Sequence, residues 1–193
     1  MAEKIKILGI AGSLRKKSYN RALLNEAAKL LPPDSTIEIT GIEGIPVYNQ
    51  DEEGNLPQAV VEFKRKIRDA DAILFALPEY NYSLPGPLKN AIDYASRPYP
   101  DNSFAGKAAA MMSASIGILG GARAQYQLRQ AFVFLNMVPV NLPEVFVTFA
   151  QQKFDSELKL TDNAAKQFIS QLLVNLVNTA RNIKRNEVPA RNA

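Results

Sequence analysis

Apolar residues along the chain follow two patterns. Some form short runs that are apolar throughout or alternate with polar residues, and others recur every three or four positions over longer stretches. The first pattern is typical of strands and the second of amphipathic helices. Residues 70–77 (ADAILFAL) are apolar almost throughout, as a central parallel strand covered on both faces requires. Residues 161–183 carry one broad apolar stripe, which predicts a core-facing helix with Thr161 as its N-cap.

Strands and helices are predicted to alternate along the whole chain. Strands are expected at residues 4–10, 35–40, 70–77 and 107–113 and within 138–149, and helices at residues 20–31, 58–69, 88–96, 122–135 and 161–183. This order predicts an α/β fold, a doubly wound five-stranded parallel sheet with helices on both faces. Since no internal repeat or linker interrupts it, residues 1–183 are expected to form a single domain, followed by a basic, flexible tail at residues 184–193.

The composition excludes several kinds of chemistry. The 193 residues include no cysteine, histidine or tryptophan. Disulfide scaffolds, zinc sites built on cysteine or histidine, and cysteine or serine-histidine nucleophiles are therefore excluded. The formal net charge of +4 is too small to indicate nucleic acid, and no apolar run approaches the roughly 18 residues of a membrane helix. We expect a cytoplasmic protein with no metal site and no nucleic-acid or membrane partner.

The loop after the first predicted strand is suited to phosphate. Ser13, Arg15, Ser18 and Asn20 lie just before or at a predicted helix N-terminus, where unpaired N–H groups and a partial positive charge favour an anion. The alternative, that Ser18 only caps the helix and Arg15 is solvated, stays open on the sequence. The absence of G-x-G-x-x-G and of a P-loop motif disfavours a dinucleotide Rossmann site and a P-loop NTPase.

The loops after the third and fourth strands have different chemistry. Residues 78–90 contain three prolines and two tyrosines, which suit a planar heterocycle contacted at its edge by backbone N–H groups. Residues 113–123 contain three glycines, which allow close backbone approach to a ligand. Each loop alone is also compatible with an ordinary connector. Because strand carboxyl ends meet at one edge of a doubly wound sheet, the three loops are expected to form one site.

Three segments resemble a known family. They are GSLRKKSYNRAL at residues 12–23, LPEYNYSLPGPLKNAIDYASRP at residues 77–98, and the pattern S-x-S-x-G-x-x-G-G-x-R at residues 113–123. Together they resemble the NADPH-dependent FMN reductases, flavodoxin-like proteins that include quinone, chromate and azo-dye reductases. The resemblance extends from the first strand to about Glu144, and its most specific part is the second segment.

The resemblance implies strand order 2-1-3-4-5 and one bound FMN per subunit, with NADPH or NADH as co-substrate. It implies hydride transfer through FMN to quinones, or to related azo, nitro or chromate-type acceptors, by a ping-pong mechanism. The residues that it assigns to FMN binding are Ser13, Arg15, Ser18 and Asn20 at the phosphate, Pro78, Glu79, Tyr80 and Asn81 along the ring and ribityl chain, and Ser113, Ser115 and Gly117 on the other side. No catalytic side chain is expected, because the chemistry takes place on flavin N5. Glu79 is expected to act through its backbone.

The resemblance also implies a homodimer or homotetramer, with polar contacts between subunits expected at Tyr82, Arg123, Tyr126 and Glu144. Two other functions stay open. A flavodoxin-like electron-transfer module serving a protein partner is disfavoured by the basic charge balance and the proline-stiffened second loop. A nucleotide- or phosphate-binding module without redox chemistry is the other alternative.

Overall fold

The computed structural model describes residues 4–187 as a parallel sheet with helices on both faces. The strands are β1 (Ile5–Ala11), β2 (Ser35–Thr40), β3 (Ala72–Ala76), β4 (Ala108–Ala114), β5 (Val138–Pro139) and β6 (Val145–Val147), and the helices are α1 (Tyr19–Lys29), α2 (Gln58–Asp69), α3 (Gly86–Ala95), α4 (Ala122–Phe134), α5 (Ala150–Lys153) and α6 (Asn163–Glu187). All strand pairs are parallel and follow the order β2-β1-β3-β4-β5, with β6 also paired to β4. The predicted fold class and strand order are confirmed. Over these residues, no helix has the length and apolar character needed to cross a membrane.

Apolar side chains pack on the two faces of the sheet as two clusters. On one face, α1 and α6 contribute buried residues such as Leu23 and Leu173. On the other, α2, α3 and α4 contribute residues such as Phe63, Leu88 and Phe132. Every residue of β3 and of β4 is buried between them. Because both faces are covered, the loops at the carboxyl edge are the natural surface for a ligand.

The last edge of the sheet differs from the prediction of one strand within residues 138–149. Val138 pairs in register with Ala108, whereas Val145 pairs with Met112, so β5 and β6 extend successive parts of β4. Pro139 ends β5, and Pro143 lies between the two strands; neither has an N–H to donate to the ladder.

The final helix begins two residues later than predicted. The carboxylate of Asp162 accepts a hydrogen bond from the N–H of Ala165 at 3.0 Å, while the Thr161 hydroxyl donates to the carbonyl of Lys153 at 3.0 Å. The prediction of Thr161 as the N-cap is therefore wrong. Asp162 takes this role, since a carboxylate both accepts the N–H and complements the positive end of the helix.

The same helix also ends later than predicted, at Glu187 rather than at residue 183. The ammonium of Lys184 lies 2.8 Å from the carboxylate of Asp71, and Ile183 packs against the core, which ties the last turns to the sheet. Residues 184–187 of the predicted flexible tail are thus helical. The rest of that tail, residues 188–193, lies outside the described residues.

Candidate functional site

The loops that follow β1, β3 and β4 enclose a cavity of about 280 Å³ at the carboxyl edge. Its walls are formed by Ser13, Arg15, Ser18, Tyr19 and Asn20, by Pro78, Glu79 and Tyr80, and by Ala114, Ser115 and Ile116. Eight of the eleven site residues predicted from the sequence line this cavity, and Asn81, Ser113 and Gly117 do not. The three loops therefore converge on one cavity, as their positions after neighbouring strands indicate.

A larger groove, of about 420 Å³, lies between β1, β2 and the end of α2. Its lining includes Lys66 and Glu38, which pair with each other at 2.7 Å. It is lined by residues 6–8 of β1 and 36–38 of β2 and shares no residue with the strand-end loops. The smaller cavity is the better candidate because it lies at the switch point in strand order, where ligands of such sheets bind.

The first loop and the start of α1 form the end of the cavity suited to an anion. The Ser18 hydroxyl accepts the Arg21 N–H at 3.3 Å, and the Ser13 hydroxyl accepts the Arg15 N–H at 3.3 Å. Ser18 is therefore both the helix cap and part of the cavity wall. Arg15 is exposed, with its guanidinium carbon 5.9 Å from the ring centre of Tyr19. A phosphate here would meet backbone N–H groups, the positive end of the helix and one guanidinium.

Asn20 lies in the cavity wall, yet its amide is paired with the end of β4. Its Nδ2 donates to the carbonyl of Ala114 at 3.0 Å, and its Oδ1 accepts the Ala114 N–H at 2.8 Å. The side chain is buried. Asn20 thus fixes α1 against the third loop, and one amide hydrogen is left for a ligand.

The second loop contains a tight turn at residues 80–83. Tyr80 and Ser83 exchange two backbone hydrogen bonds, of 3.0 and 2.9 Å. Between them, Asn81 and Tyr82 both have positive φ, of 49° and 64°. Two consecutive left-handed residues are typical of a type I′ turn, whose second position favours glycine. Tyr82 therefore holds a strained backbone conformation that its surroundings must stabilise.

Those surroundings come from α4. The Glu79 carboxylate accepts the backbone N–H of Arg123 at 3.1 Å and its guanidinium at 3.0 Å. The guanidinium carbon of Arg123 in turn lies 3.5 Å from the ring centre of Tyr82. One turn further along α4, Gln127 accepts the Ser83 hydroxyl and donates to the Tyr82 carbonyl at 3.3 Å. The second loop is thus clamped to α4 by side chains about 44 residues away in sequence.

Tyr126 and Glu144 also contact each other. The Tyr126 hydroxyl donates to the Glu144 carboxylate at 3.3 Å, and this bond raises the pKa of Tyr126 above its ordinary value. The four residues expected to make contacts between subunits thus pair within one chain, Tyr82 with Arg123 and Tyr126 with Glu144. Their contacts with another subunit stay a prediction.

Ser113 lies beneath the third loop and is fully buried. Its hydroxyl donates to the Gly120 carbonyl at 2.6 Å and accepts the Gln125 amide at 2.7 Å. A Cβ on Gly121, whose φ is +93°, would lie 2.7 Å from the Ser113 Cβ. Ser113 therefore supports the glycine turn that begins α4 and places Arg123, and it does not face the cavity.

The second loop also offers unpaired backbone donors. Within residues 4–187, no protein acceptor pairs with the N–H of Glu79 or of Asn81. Glu79 is the one carboxylate among the residues that line the cavity, and Arg123 holds it. The second loop thus supplies unpaired backbone N–H donors and a carboxylate that is paired with an arginine, which suits a binding site.

Comparison with known proteins gives the family. Residues 5–152 match the family described as NADPH-dependent FMN reductase. The NAD(P)H-dependent FMN reductase of Pseudomonas aeruginosa is 54% identical over 174 residues, which cover 90% of this chain and 94% of that protein. The NAD(P)H:quinone oxidoreductase of Solanum tuberosum is 50% identical over 187 residues, which cover 93% of this chain and 95% of that protein.

Solved structures of flavin-dependent oxidoreductases are also similar to this chain. The flavoenzyme FerB of Paracoccus denitrificans, an NAD(P)H:(acceptor) oxidoreductase, is similar with a TM-score of 0.84 and 32% identity, covering 92% of this chain and 98% of that one. The FMN-dependent NADH-azoreductase of Bacillus anthracis, in complex with FMN, shares the fold with a TM-score of 0.60 and 16% identity, covering 92% and 100%. The resemblance predicted from the three loop segments is confirmed, and the chain belongs to the NADPH-dependent FMN reductase family.

Proposed function

We propose that this protein is an NAD(P)H:quinone oxidoreductase that holds one FMN in the cavity at the carboxyl edge of the sheet. The observation that carries the proposal is the convergence of an anion-binding helix N-terminus with two ligand-suited loops, in a chain that spans nearly the whole length of relatives named for FMN and quinone reduction. When bound, FMN supplies an atom, N5, that both accepts and donates hydride, so the protein needs no nucleophile of its own.

The residues of the cavity fit the parts of FMN. Ser13, Ser18 and Arg15 lie where the first loop meets the α1 N-terminus and suit the phosphate dianion. Tyr80 and Ile116 are exposed at the opposite rim, on the second and third loops. A flat ring that extends from the cavity along this rim keeps one face open to substrates.

Each of the other predicted residues has a part in this arrangement. Pro78, Glu79, Tyr80 and Asn81 border the ring, and the N–H groups of Glu79 and Asn81 are donors for its polar edge, where negative charge increases on reduction. Ser115 belongs to the wall of the cavity formed by the third loop, and Gly117 belongs to the same loop. Asn20 and Ser113 act chiefly by holding the third loop in place.

The open rim accepts one planar substrate at a time, so NADPH or NADH and the quinone bind in turn, which gives ping-pong kinetics. Azo, nitro and chromate-type compounds are further acceptors. The protein acts in the cytoplasm as a homodimer or homotetramer. The exposed apolar residues Tyr82, Ile118 and Leu119 near the cavity favour association, because such patches mark interfaces.

Purification followed by a visible spectrum and steady-state kinetics tests this proposal. We expect flavin absorbance, or its gain on addition of FMN, and turnover of NADPH or NADH with benzoquinone that gives parallel double-reciprocal lines. A protein that carries no flavin and takes up none would contradict the proposal. A protein that binds FMN but does not turn over quinone would be an electron-transfer module instead.

A further inference from the structure

A carboxylate beside a flavin site needs an explanation, because negative charge there opposes negative charge on a reduced ring. Glu79 lines the cavity, and its side chain is only 12% exposed. Both of its carboxylate oxygens are occupied, one by the backbone N–H and one by the guanidinium of Arg123. Arg123, at the start of α4, therefore balances the charge of Glu79. Because both carboxylate oxygens are engaged in these contacts, Glu79 is not placed to donate a proton.

The same carboxylate supplies the cap that α4 lacks. Gly121 stands at the N-cap position of α4 and has no side chain that could accept a hydrogen bond. Glu79 accepts the N–H of Arg123, the second residue of the helix, from a different loop. The start of α4 and the second loop are thus joined by one residue.

The contact between Glu79 and Arg123 also supports the strained turn at residues 80–83. Arg123 stacks on the ring of Tyr82, which occupies a left-handed position where glycine is preferred. The neighbouring residue, Asn81, has one of the unpaired N–H groups that point to ligand binding, and Glu79 has the other. Anything that fixes the turn therefore fixes these donors.

We propose that Glu79 is a positioning residue, whose carboxylate holds Arg123 against Tyr82 and so keeps the turn at residues 80–83 in the left-handed form that presents the Glu79 and Asn81 N–H groups to FMN. The inference rests on the proposed function, because it assumes that FMN occupies the cavity. It differs from a backbone-only role for Glu79, in which the side chain would have no effect on flavin binding.

The test compares Glu79→Gln and Glu79→Ala with a matched control, Glu26→Gln. Glu26 has a carboxylate of similar burial, paired with Lys29 at 3.0 Å and Lys166 at 3.7 Å, and it lies outside the cavity.

FMN affinity is measured by fluorescence titration of the flavin-free proteins, and the ring environment by visible circular dichroism and the midpoint potential of bound FMN. Glu79→Ala is expected to raise the FMN dissociation constant by about tenfold, the effect of losing one charge-assisted contact, and to change the dichroism and the potential. Glu79→Gln keeps an oxygen for the Arg123 N–H, so its effect is expected to be smaller, and Glu26→Gln leaves all three readouts unchanged.

A second variant separates positioning from a direct effect of the carboxylate on the flavin. Glycine adopts the left-handed conformation without support, so Tyr82→Gly in the Glu79→Ala background is expected to restore most of the FMN affinity and the original dichroism. A double variant that binds no better than Glu79→Ala overturns the proposal, and so does Glu79→Ala with unchanged affinity and spectra. Failure of the wild-type protein to bind FMN would instead overturn the proposed function.

Discussion

The two ends of the cavity are held in different ways. At the phosphate end, the hydroxyls of Ser13 and Ser18 accept hydrogen bonds from the N–H groups of near neighbours, Arg15 and Arg21. Of the residues predicted at this end, Asn20 is the one whose side chain pairs with a distant segment, at Ala114. At the ring end, the supporting contacts join the second loop to α4 across about 44 residues, through Glu79 and Arg123. The first end can be recognised from a short segment, whereas the second exists only once the sheet has brought two loops together. A change at either end should therefore have a distinct signature.

The largest effect is expected where the ring end depends on a glycine. In Gly121→Ala, the new Cβ would lie 2.7 Å from the Ser113 Cβ at a residue with φ of +93°, so we expect a loss of about 3 kcal/mol in the free energy of unfolding. Urea denaturation measures this, with Gly54→Ala as the control, because no atom lies within 4 Å of a Cβ at that position. Equal stabilities of the two variants would show that the turn before α4 can rearrange freely.

At the phosphate end, Arg15→Ala is expected to weaken FMN binding by about 2 kcal/mol, or roughly 30-fold, without loss of stability. The reason is the loss of one guanidinium contact to a dianion. Titration of flavin-free protein gives the dissociation constant, and Arg65→Ala, a change to an exposed α2 arginine paired with Asp69, serves as the control. The difference should shrink at high salt, since the contact is exposed. An unchanged constant would remove Arg15 from the phosphate site.

A smaller effect is expected for turnover at the ring end. Glu79→Gln should leave kcat/KM for NADPH and quinone within a factor of about three, because the side chain positions N–H groups and moves no proton. Stopped-flow reduction by NADPH, followed at the flavin absorbance, provides the rate. A fall of three orders of magnitude would make Glu79 a proton donor, and the two ends would then differ in chemistry as well as in support.

Outside both ends, an effect on stability alone is expected. The Lys153 ion pair and the Ala165 N–H hold the pKa of Asp162 below its ordinary value. A depressed folded-state pKa stabilises the fold above the unfolded-state pKa, and this contribution is lost as the pH falls below about 4. Asp162→Asn should therefore reduce stability at pH 7 by about 1 kcal/mol, as expected for a helix cap, and flatten the pH dependence in the acid range. Thermal unfolding at several pH values measures it, and a change in FMN affinity would contradict the separation of α6 from the cavity.

Much of the fold follows from local pattern. The apolar run before Pro78 and the helical spacing of residues 58–69 place β3 and α2, and the alternation of such elements predicts a doubly wound parallel sheet. The strand order 2-1-3-4-5 follows from the family resemblance and not from local pattern. The ends of elements were less predictable. Whether Thr161 or Asp162 caps α6 depends on the position of Lys153, and the end of the helix depends on Asp71, which are contacts that no local pattern contains.

The candidate site also contains residues that local sequence predicts and residues whose role depends on distant contacts. Ser13, Arg15 and Ser18 could be predicted because the anion site is built from one loop and one helix N-terminus. Ser113 belongs to β4, beneath the third loop, and its hydroxyl contacts Gly120 and Gln125 instead of the cavity. Gln125 was missed altogether, although it is buried and joins Ser113 to the Val145 carbonyl at 2.9 Å. A polar residue on the core-facing side of a predicted helix is the one sequence signal that could have found it.

The role of FMN is tested most directly by the rate of quinone reduction as FMN is added back to the flavin-free protein. We expect that NADPH- or NADH-dependent reduction of benzoquinone is negligible without FMN, rises with added FMN and reaches its limit at one FMN per subunit. A rate that is independent of FMN, or that stays negligible when FMN is saturating, would contradict it.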